Sequence, residues 1–352
     1  MKVYKVIGLM SGTSLDGVDI AYCEFSEHQS KWSYKIISAE TYQYEDSWKK
    51  KLSDAMNSDA LQFISLHKEY GSFLGKLVSN FISRNKISVD FIASHGHTIF
   101  HQPDKRLTFQ IGDGSEIAAV CGLPVVYDFR SGDVALGGQG APLVPIGDKL
   151  LFSDYDFCLN LGGFANISFD KNDKRIAFDI CPVNIILNRY ANLLGKPFDE
   201  DGLIASKGHN NKVLFSELNN IEYYSLKPPK SLGREWVEKQ VIPITEKFDI
   251  SIENKLRTLC EHMAWQIACV LNSEKKGKVL VTGGGAFNKY LISGIPKFSS
   301  HEIIIPEKMT VEYKEALIFA FLGLLRMNNQ VNCLASVTGA GRDHSSGAVY
   351  LP

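Results

Sequence analysis

The chain has 352 residues, 38 basic against 39 acidic side chains and a formal charge of −1. This length exceeds one core of ordinary size and predicts two domains, while the near-balanced charge excludes a broad nucleic-acid or anionic-membrane surface and points to a small-molecule partner. Seven cysteines, odd in number, widely spaced and never in Cys-x-x-Cys, exclude a disulfide framework and lack zinc-site spacing, so a reducing cytoplasmic location is expected.

In chain order, the apolar stretch Val3 to Leu9 runs into Gly8-Leu-Met-Ser-Gly-Thr-Ser-Leu-Asp-Gly-Val-Asp19, and Val18 to Phe25 reads as a second strand. Glycine lets backbone N–H groups approach an anion, Thr13 and Ser14 add hydroxyl donors, and Asp16 can hold a metal-bound water. The unit is strand, glycine-rich turn, strand, unlike the Walker and dinucleotide loops, which run from strand into helix. An ordinary hairpin turn has the same composition and is the local alternative.

Leu61 to Ile82 carries Phe63, Ile64, Leu66, Tyr70, Phe73, Leu74, Leu77, Val78 and Phe81 at near-helical spacing, and Lys255 to Leu271 repeats the pattern. Short β-branched and aromatic runs recur at Tyr34 to Ser38, Phe91 to Ser94, Val125 to Tyr127, Phe157 to Leu161, Asn166 to Phe169, Arg175 to Asp179, Lys278 to Thr282 and Glu302 to Ile305. Strands alternating with long helices predict an α/β protein. Phe157 to Phe169, split by Gly162 and Gly163, echoes the first hairpin and suggests two related halves. A third glycine turn, Gly283 to Gly285, follows the strand Lys278 to Thr282 and opens a helix. The longest apolar run, Ala316 to Leu325, is too short to span a bilayer, so no membrane partner is expected.

Together with Ser94-His-Gly-His-Thr98, Gln110-Ile-Gly-Asp113, Asp128-Phe-Arg130, Gly137-Gly-Gln-Gly-Ala-Pro-Leu-Val-Pro145, Asn160 to Asn166, Asp199-Glu-Asp-Gly202, Pro228 to Glu235, Gly283 to Ala286, Lys314-Glu-Ala316 and Ser336 to Ala340, these segments resemble the anhydro-N-acetylmuramic acid kinases of the sugar-kinase and actin superfamily. The resemblance covers nearly the whole chain. It implies a two-domain, actin-like (ribonuclease-H-like) α/β sugar kinase fold with an active-site cleft between domains, divided here as 1–133 and 134–352, with the last residues able to pack back on the first domain. It also implies ATP and Mg²⁺ as cofactors, a homodimer, and a reaction that opens 1,6-anhydro-N-acetylmuramic acid with water while phosphorylating its 6-hydroxyl, a step of cell-wall sugar recycling.

The resemblance places the water-activating base on Asp179. It assigns ATP to Gly12, Thr13, Ser14, Leu15, Asp16, Gly17, Val18, Asp19, Gly162, Gly163, Gly283, Gly284 and Gly285, Mg²⁺ to Asp16 through water, and the sugar to His95, Asp128, Arg130 and Glu315. Here the chain departs from its relatives: Asp-Ile-Cys-Pro-Val-Asn184 stands where the family has Asp-Thr-Gly-Pro-Gly-Asn, so Ile180, Cys181 and Val183 replace a hydroxyl and two glycines. Read from the residues alone, Asp179 precedes a helical pattern and can equally be a helix cap. His95, structural or sugar-lining, belongs with His97 and His101 to a His-x-His-x-x-x-His run that can ligate a transition metal; the resemblance argues against that, because His97 replaces a usual glutamine. Asp128 and Arg130 can equally form a salt-bridged strand end, and Glu315 a first-turn helix acid. The Gly137 to Gly140 stretch is either a hinge or a rigid loop needing positive φ. A chaperone-like ATPase and a catalytically weakened binding protein of the same superfamily are the competing functions.

Overall fold

The structure, a computed structural model, describes residues 2–12 and 14–352, so Thr13 lies outside the described residues. The chain packs as two units, one formed by Met1–Leu151 with Tyr313–Pro352 and the other by Phe152–Glu312. The division expected after residue 133 falls inside the first unit, and the stretch from Tyr313 onward belongs to that unit as well.

The first unit is built on β1 (Val3–Ser11), β2 (Gly17–His28), β3 (Lys31–Gln43), β4 (Phe91–Gln102), β5 (Leu107–Ile111) and β6 (Val125–Tyr127). Antiparallel pairing joins β1 to β2 and β2 to β3, whereas β4 lies parallel to β1 and β6 parallel to β4. The side chains of β1 alternate between two faces. Ile7 and Leu9 join the apolar cluster that receives Leu66, Tyr70, Leu74, Val78 and Phe81 of the helix Ala60–Asn85. That helix starts where Asp59 accepts a hydrogen bond from the Gln62 N–H, and it ends at Lys86 in the left-handed region. Gly8 faces the other way: a Cβ there would lie 1.9 Å from the Ala316 carbonyl oxygen, so only glycine lets the helix Lys308–Met327 lie this close to β1.

In the second unit β7 (Phe157–Leu161), β8 (Phe164–Lys171), β9 (Lys174–Pro182), β10 (Lys278–Thr282) and β11 (Glu302–Ile304) pair in the order β11-β10-β7-β8-β9. The helix Ile252–Leu271, capped by Ser251 on the Asn254 N–H, buries Leu256, Leu259, Met263, Ile267 and Leu271 in the unit's core. Within its own sheet each unit therefore repeats one pattern. Three antiparallel strands are joined by two parallel to the first, in the order β3-β2-β1-β4-β6 in the first unit and β9-β8-β7-β10-β11 in the second, which is the ribonuclease-H-like arrangement of actin-like proteins; the first sheet adds β5 antiparallel to β4 and the strand Ala348–Tyr350 antiparallel to β6. The echo between the two glycine hairpins is thus topological: each joins the first and second strands of its sheet. Among the described residues no helix is long and apolar enough to cross a membrane.

Candidate active site

The glycine turns of the second unit converge. The Gly163 carbonyl accepts from the Val183 N–H at 2.8 Å and the Gly162 carbonyl from the Asn184 N–H at 3.2 Å, tying the β7–β8 turn to the start of the helix Asn184–Asn192. A Cβ on Gly163 would meet nothing within 4 Å, so this turn presents open backbone. Gly283, at φ 80°, lies against Asn160 and Leu161, and a Cβ there would stand 2.6 Å from the Asn160 Oδ1. Beside them is a cavity of about 550 Å³ whose lining includes Asn184, Leu187, Phe198, Gly284, Phe287 and Lys308. That is the size of a small-molecule pocket. Asn160 and Asn184, whose Nδ2 donates to the Leu161 carbonyl at 3.3 Å, hold this corner together. Neither carried an expected role, since one asparagine in a strand gives no local signal.

Asp179 lies on β9 opposite Asn166, three rungs from the Gly162–Gly163 turn, about 10 Å by strand rise. The register shifts here: Asn166 pairs with Asp179 and Ala165 with Cys181, leaving Ile180 as an extra, bulged residue. A bulge re-aims the neighbouring side chain. The Asp179 carboxylate does not cap a helix. The helix that follows begins at Asn184 behind Val183, which makes no side-chain cap. Instead Oδ2 accepts from the Leu232 N–H at 2.8 Å, while the Asp179 N–H donates to the Lys230 carbonyl at 3.2 Å and the Tyr223 hydroxyl donates to the Asp179 carbonyl at 2.7 Å. Among the described residues Oδ1 has no hydrogen-bond partner. Burial raises the carboxyl above its usual range, and the Leu232 N–H opposes this only in part. The result is a half-buried carboxylate that is more basic than a surface aspartate.

The three substituted residues turn inward. Ile180, Cys181 and Val183 are at most 1% exposed and belong to the unit's apolar core. Val183 packs beside Gly285, its Cγ1 3.4 Å from where a Cβ on that glycine would lie.

In the first unit, Gly12, Ser14, Leu15, Asp16 and Gly17 form the β1–β2 turn. Leu15 sits at φ 59° with its N–H on the Gly12 carbonyl, and the Asp16 and Ser14 side chains are exposed. Val18 is fully buried and offers only its backbone, and a Cβ on Gly17 would strike the Tyr42 carbonyl at 2.4 Å. Asp19 accepts from the Thr41 hydroxyl at 2.6 Å. His95 and Arg130 are locked together. The Arg130 Nε and Nη2 reach the His95 Nε2 at 3.0 and 2.9 Å, its Nη1 donates to the Gly140 carbonyl at 2.6 Å, and the His95 Nδ1 donates to the Gly96 carbonyl. Burial and the adjacent guanidinium keep this imidazole neutral, far below its ordinary range. Asp128 adopts φ 55° and accepts from the Ser131 N–H at 3.3 Å; no ion pair joins it to Arg130 among the described residues. Glu315 is exposed on the helix Lys308–Met327. Gly137 and Gly140 both sit at positive φ, with the Gly140 N–H held by the Asp133 carboxylate, so this stretch is a fixed loop.

Among the described residues the ring nitrogens of His95, His97 and His101 do not gather into one ligand cluster. The His97 Nδ1 meets the Ser11 hydroxyl at 2.9 Å, which continues to the Tyr44 and Tyr70 hydroxyls at 2.6 and 2.5 Å. Burial pulls His97 down to about 4. The unfolded chain therefore takes up a proton between pH 6.5 and about 4 that the folded chain refuses, and stability falls as pH drops through that window by on the order of 3 kcal/mol from this residue. His97→Gln should flatten that part of the pH–stability curve in denaturant titrations, and a curve parallel to the parent's would contradict this account.

The family profile described as anhydro-N-acetylmuramic acid kinase matches residues 4–352. A relative of that name from Francisella tularensis subsp. novicida (strain U112) is 35% identical and covers 97% of both chains. Another from Haemophilus influenzae is 34% identical, covering 99% of this chain and 98% of its own. Among solved structures, an activator of 2-hydroxyisocaproyl-CoA dehydratase from Clostridium difficile with bound ADPNP aligns over 92% of this chain and 97% of its own, with TM-score 0.47 and 13% identity. A family profile spanning nearly every residue, with relatives aligned over nearly their whole length at about one-third identity, establishes that the chain belongs to the anhydro-N-acetylmuramic acid kinase family.

Proposed function

We propose that this enzyme cleaves the 1,6-anhydro bridge of anhydro-N-acetylmuramic acid with water and transfers the γ-phosphoryl group of ATP to the freed O6, giving N-acetylmuramic acid 6-phosphate and ADP as a step of cell-wall sugar recycling. Asp179 takes a proton from water, the water oxygen bonds to the anomeric carbon, the bond from that carbon to O6 breaks, and O6 forms the new bond to phosphorus as ADP leaves. The observation that carries this reading is the Asp179 carboxylate, with Oδ2 held by the Leu232 N–H, Oδ1 unpartnered among the described residues, and burial raising its basicity. A base contributes best when its acidity lies closer to the working pH.

Phosphoryl transfer depends mainly on positioning and on neutralising oxygen charge. In the second unit the open backbone at Gly162 and Gly163 suits phosphate oxygens and the cavity beside Gly283, Gly284 and Gly285 suits a nucleoside; in the first unit Gly12 and Ser14 of the β1–β2 turn offer, by themselves, a backbone and a hydroxyl of the same kind. The exposed Asp16 carboxylate at the β1–β2 turn is an oxygen ligand suited to hold Mg²⁺ through water, which would supply charge neutralisation at the phosphates. His95 and Arg130 already satisfy one another, so their contribution is to shape the sugar-binding surface near Asp128 and Glu315. Incubation with ATP, Mg²⁺ and the anhydro sugar should yield a product heavier by one phosphate and one water. A product carrying phosphate without the added water, or ADP formed equally without sugar, would overturn the proposal.

A further inference from the structure

The fold brings together three residues that lie up to about 200 positions apart in sequence: Asp133, Cys333 and His344 of the first unit, whose ligand atoms all fall within 4.8 Å of one another. Asp133 is fully buried and Cys333 is 2% exposed, while the His344 side chain is 9% exposed. The His344 Nδ1 faces the Arg342 carbonyl at 3.2 Å, and a carbonyl only accepts, so Nδ1 carries a proton and Nε2 is the ring atom left to face a cation. That Nε2 is buried without a hydrogen-bond partner and stands 3.6 Å from the Asp133 Oδ1. An unpartnered buried ring nitrogen beside a carboxylate oxygen is a place that a cation bound between them would satisfy.

The surroundings have the character of an outer ligand shell. Asp133 is oriented by the Thr338 hydroxyl on Oδ1 and the Gly140 N–H on Oδ2, both at 2.7 Å. Cys333 and His344 are fixed by reciprocal backbone hydrogen bonds at 3.0 and 3.2 Å across an isolated antiparallel bridge. A histidine that donates its other ring N–H to a carbonyl is the usual arrangement behind a bound metal.

We propose that Asp133 Oδ1, Cys333 Sγ and His344 Nε2 bind one zinc-class divalent cation, which clasps the Gly137–Gly140 loop to the C-terminal hairpin of the same unit. Thiolate, imidazole and carboxylate together suit Zn²⁺, and three protein ligands leave a position for water. Binding transfers the Cys333 thiol proton to solvent as the metal–sulfur bond forms. The wide sequence spacing that spoke against a zinc site concealed this one, because none of its ligands is a sequence neighbour of another.

The test uses the full chain without a histidine tag, stripped with a chelator and titrated with Co²⁺ and with Zn²⁺ alone. One equivalent of Co²⁺ should give a thiolate-to-cobalt charge-transfer band that Zn²⁺ abolishes. The band should vanish in Cys333→Ser, weaken with affinity lower by at least about tenfold in His344→Gln, and persist in Cys269→Ser, which alters an exposed cysteine. If Cys333→Ser fails to fold, His344→Gln and the thermal midpoint of the parent with and without Zn²⁺ decide. No saturable band, a band lost only in Cys269→Ser, or a midpoint unmoved by Zn²⁺ would overturn the proposal. Sugar phosphorylation does not enter these readouts, so their failure leaves the kinase assignment intact.

Discussion

Asp179→Asn is expected to lower turnover by about 10²- to 10⁴-fold while nucleotide binding and folding persist. The amide can still accept the Leu232 N–H through its oxygen, so the β9 bulge and the Lys230–Leu232 backbone contacts survive. It cannot accept a proton from water. Steady-state ADP release measured with the anhydro sugar, beside nucleotide affinity by calorimetry, separates the two effects, and turnover within about tenfold of the parent would remove Asp179 as the base. The raised carboxyl adds a pH signature. In the parent, kcat falls as pH drops through the elevated Asp179 value, because the ionised form is the active one. Stability runs the other way. The folded chain holds this proton more tightly than the unfolded chain, so Asp179 lowers stability as pH rises through the same window. At neutral pH the asparagine variant should therefore unfold at the same temperature as the parent or a higher one. A variant that is both inactive and clearly less heat-stable would point to lost structure.

Gly8→Ala should destabilise the protein by about 3 kcal/mol, the upper end for overpacking, because the new methyl group meets backbone and not a side chain that can turn aside. The Ala316 carbonyl and the Ala320 Cβ stand 1.9 and 3.0 Å from its position, so the helix carrying Glu315 has to move off β1. At about 2–4 °C per kcal/mol for a body of this size, the thermal midpoint should fall by roughly 6–12 °C. Gly12→Ala is the companion measurement. Its methyl group meets only the flexible Ser14 Oγ, at 3.6 Å, so stability should stay within about 0.5 kcal/mol of the parent. Equal losses in both variants would show that glycine content, and not the approach of β1 to the helix, sets the cost.

Where secondary structure rests on local pattern, it was readable from the residues. Phe157–Leu161 and Lys278–Thr282 are strands with the bounds their apolar runs suggest, and the period of Leu61 to Ile82 lies within the helix Ala60–Asn85. The β4 strand extends to Gln102, well past Ser94, because its pairing with β5 continues through the polar stretch His97 to Gln102 and pattern alone gives no sign of that partner. The position of Asp179 was legible only in outline. Sequence order puts it before a helix and so suggests a cap, whereas the register shift at Ile180 and the arrival of Leu232 from fifty-three residues away redirect its carboxylate. Arg130 illustrates the same limit: its charge suggests an anion partner, but its three bonds go to His95 and Gly140. The unit boundaries, too, depend on contacts between residues distant in sequence. No run of linker composition marks Leu151 or Glu312.

The interrupted first unit bears on how the chain acquires its shape during translation. Its segment up to Leu151 leaves the ribosome before the whole of Phe152–Glu312, and the helix that covers Gly8 and Ala93 comes only afterwards. At about 5–20 residues per second, β1 and β4 wait on the order of ten to forty seconds with one apolar face uncovered. The contiguous second unit can complete its own core in that interval. Nascent-chain proteolysis should accordingly find the later half protected before the earlier one.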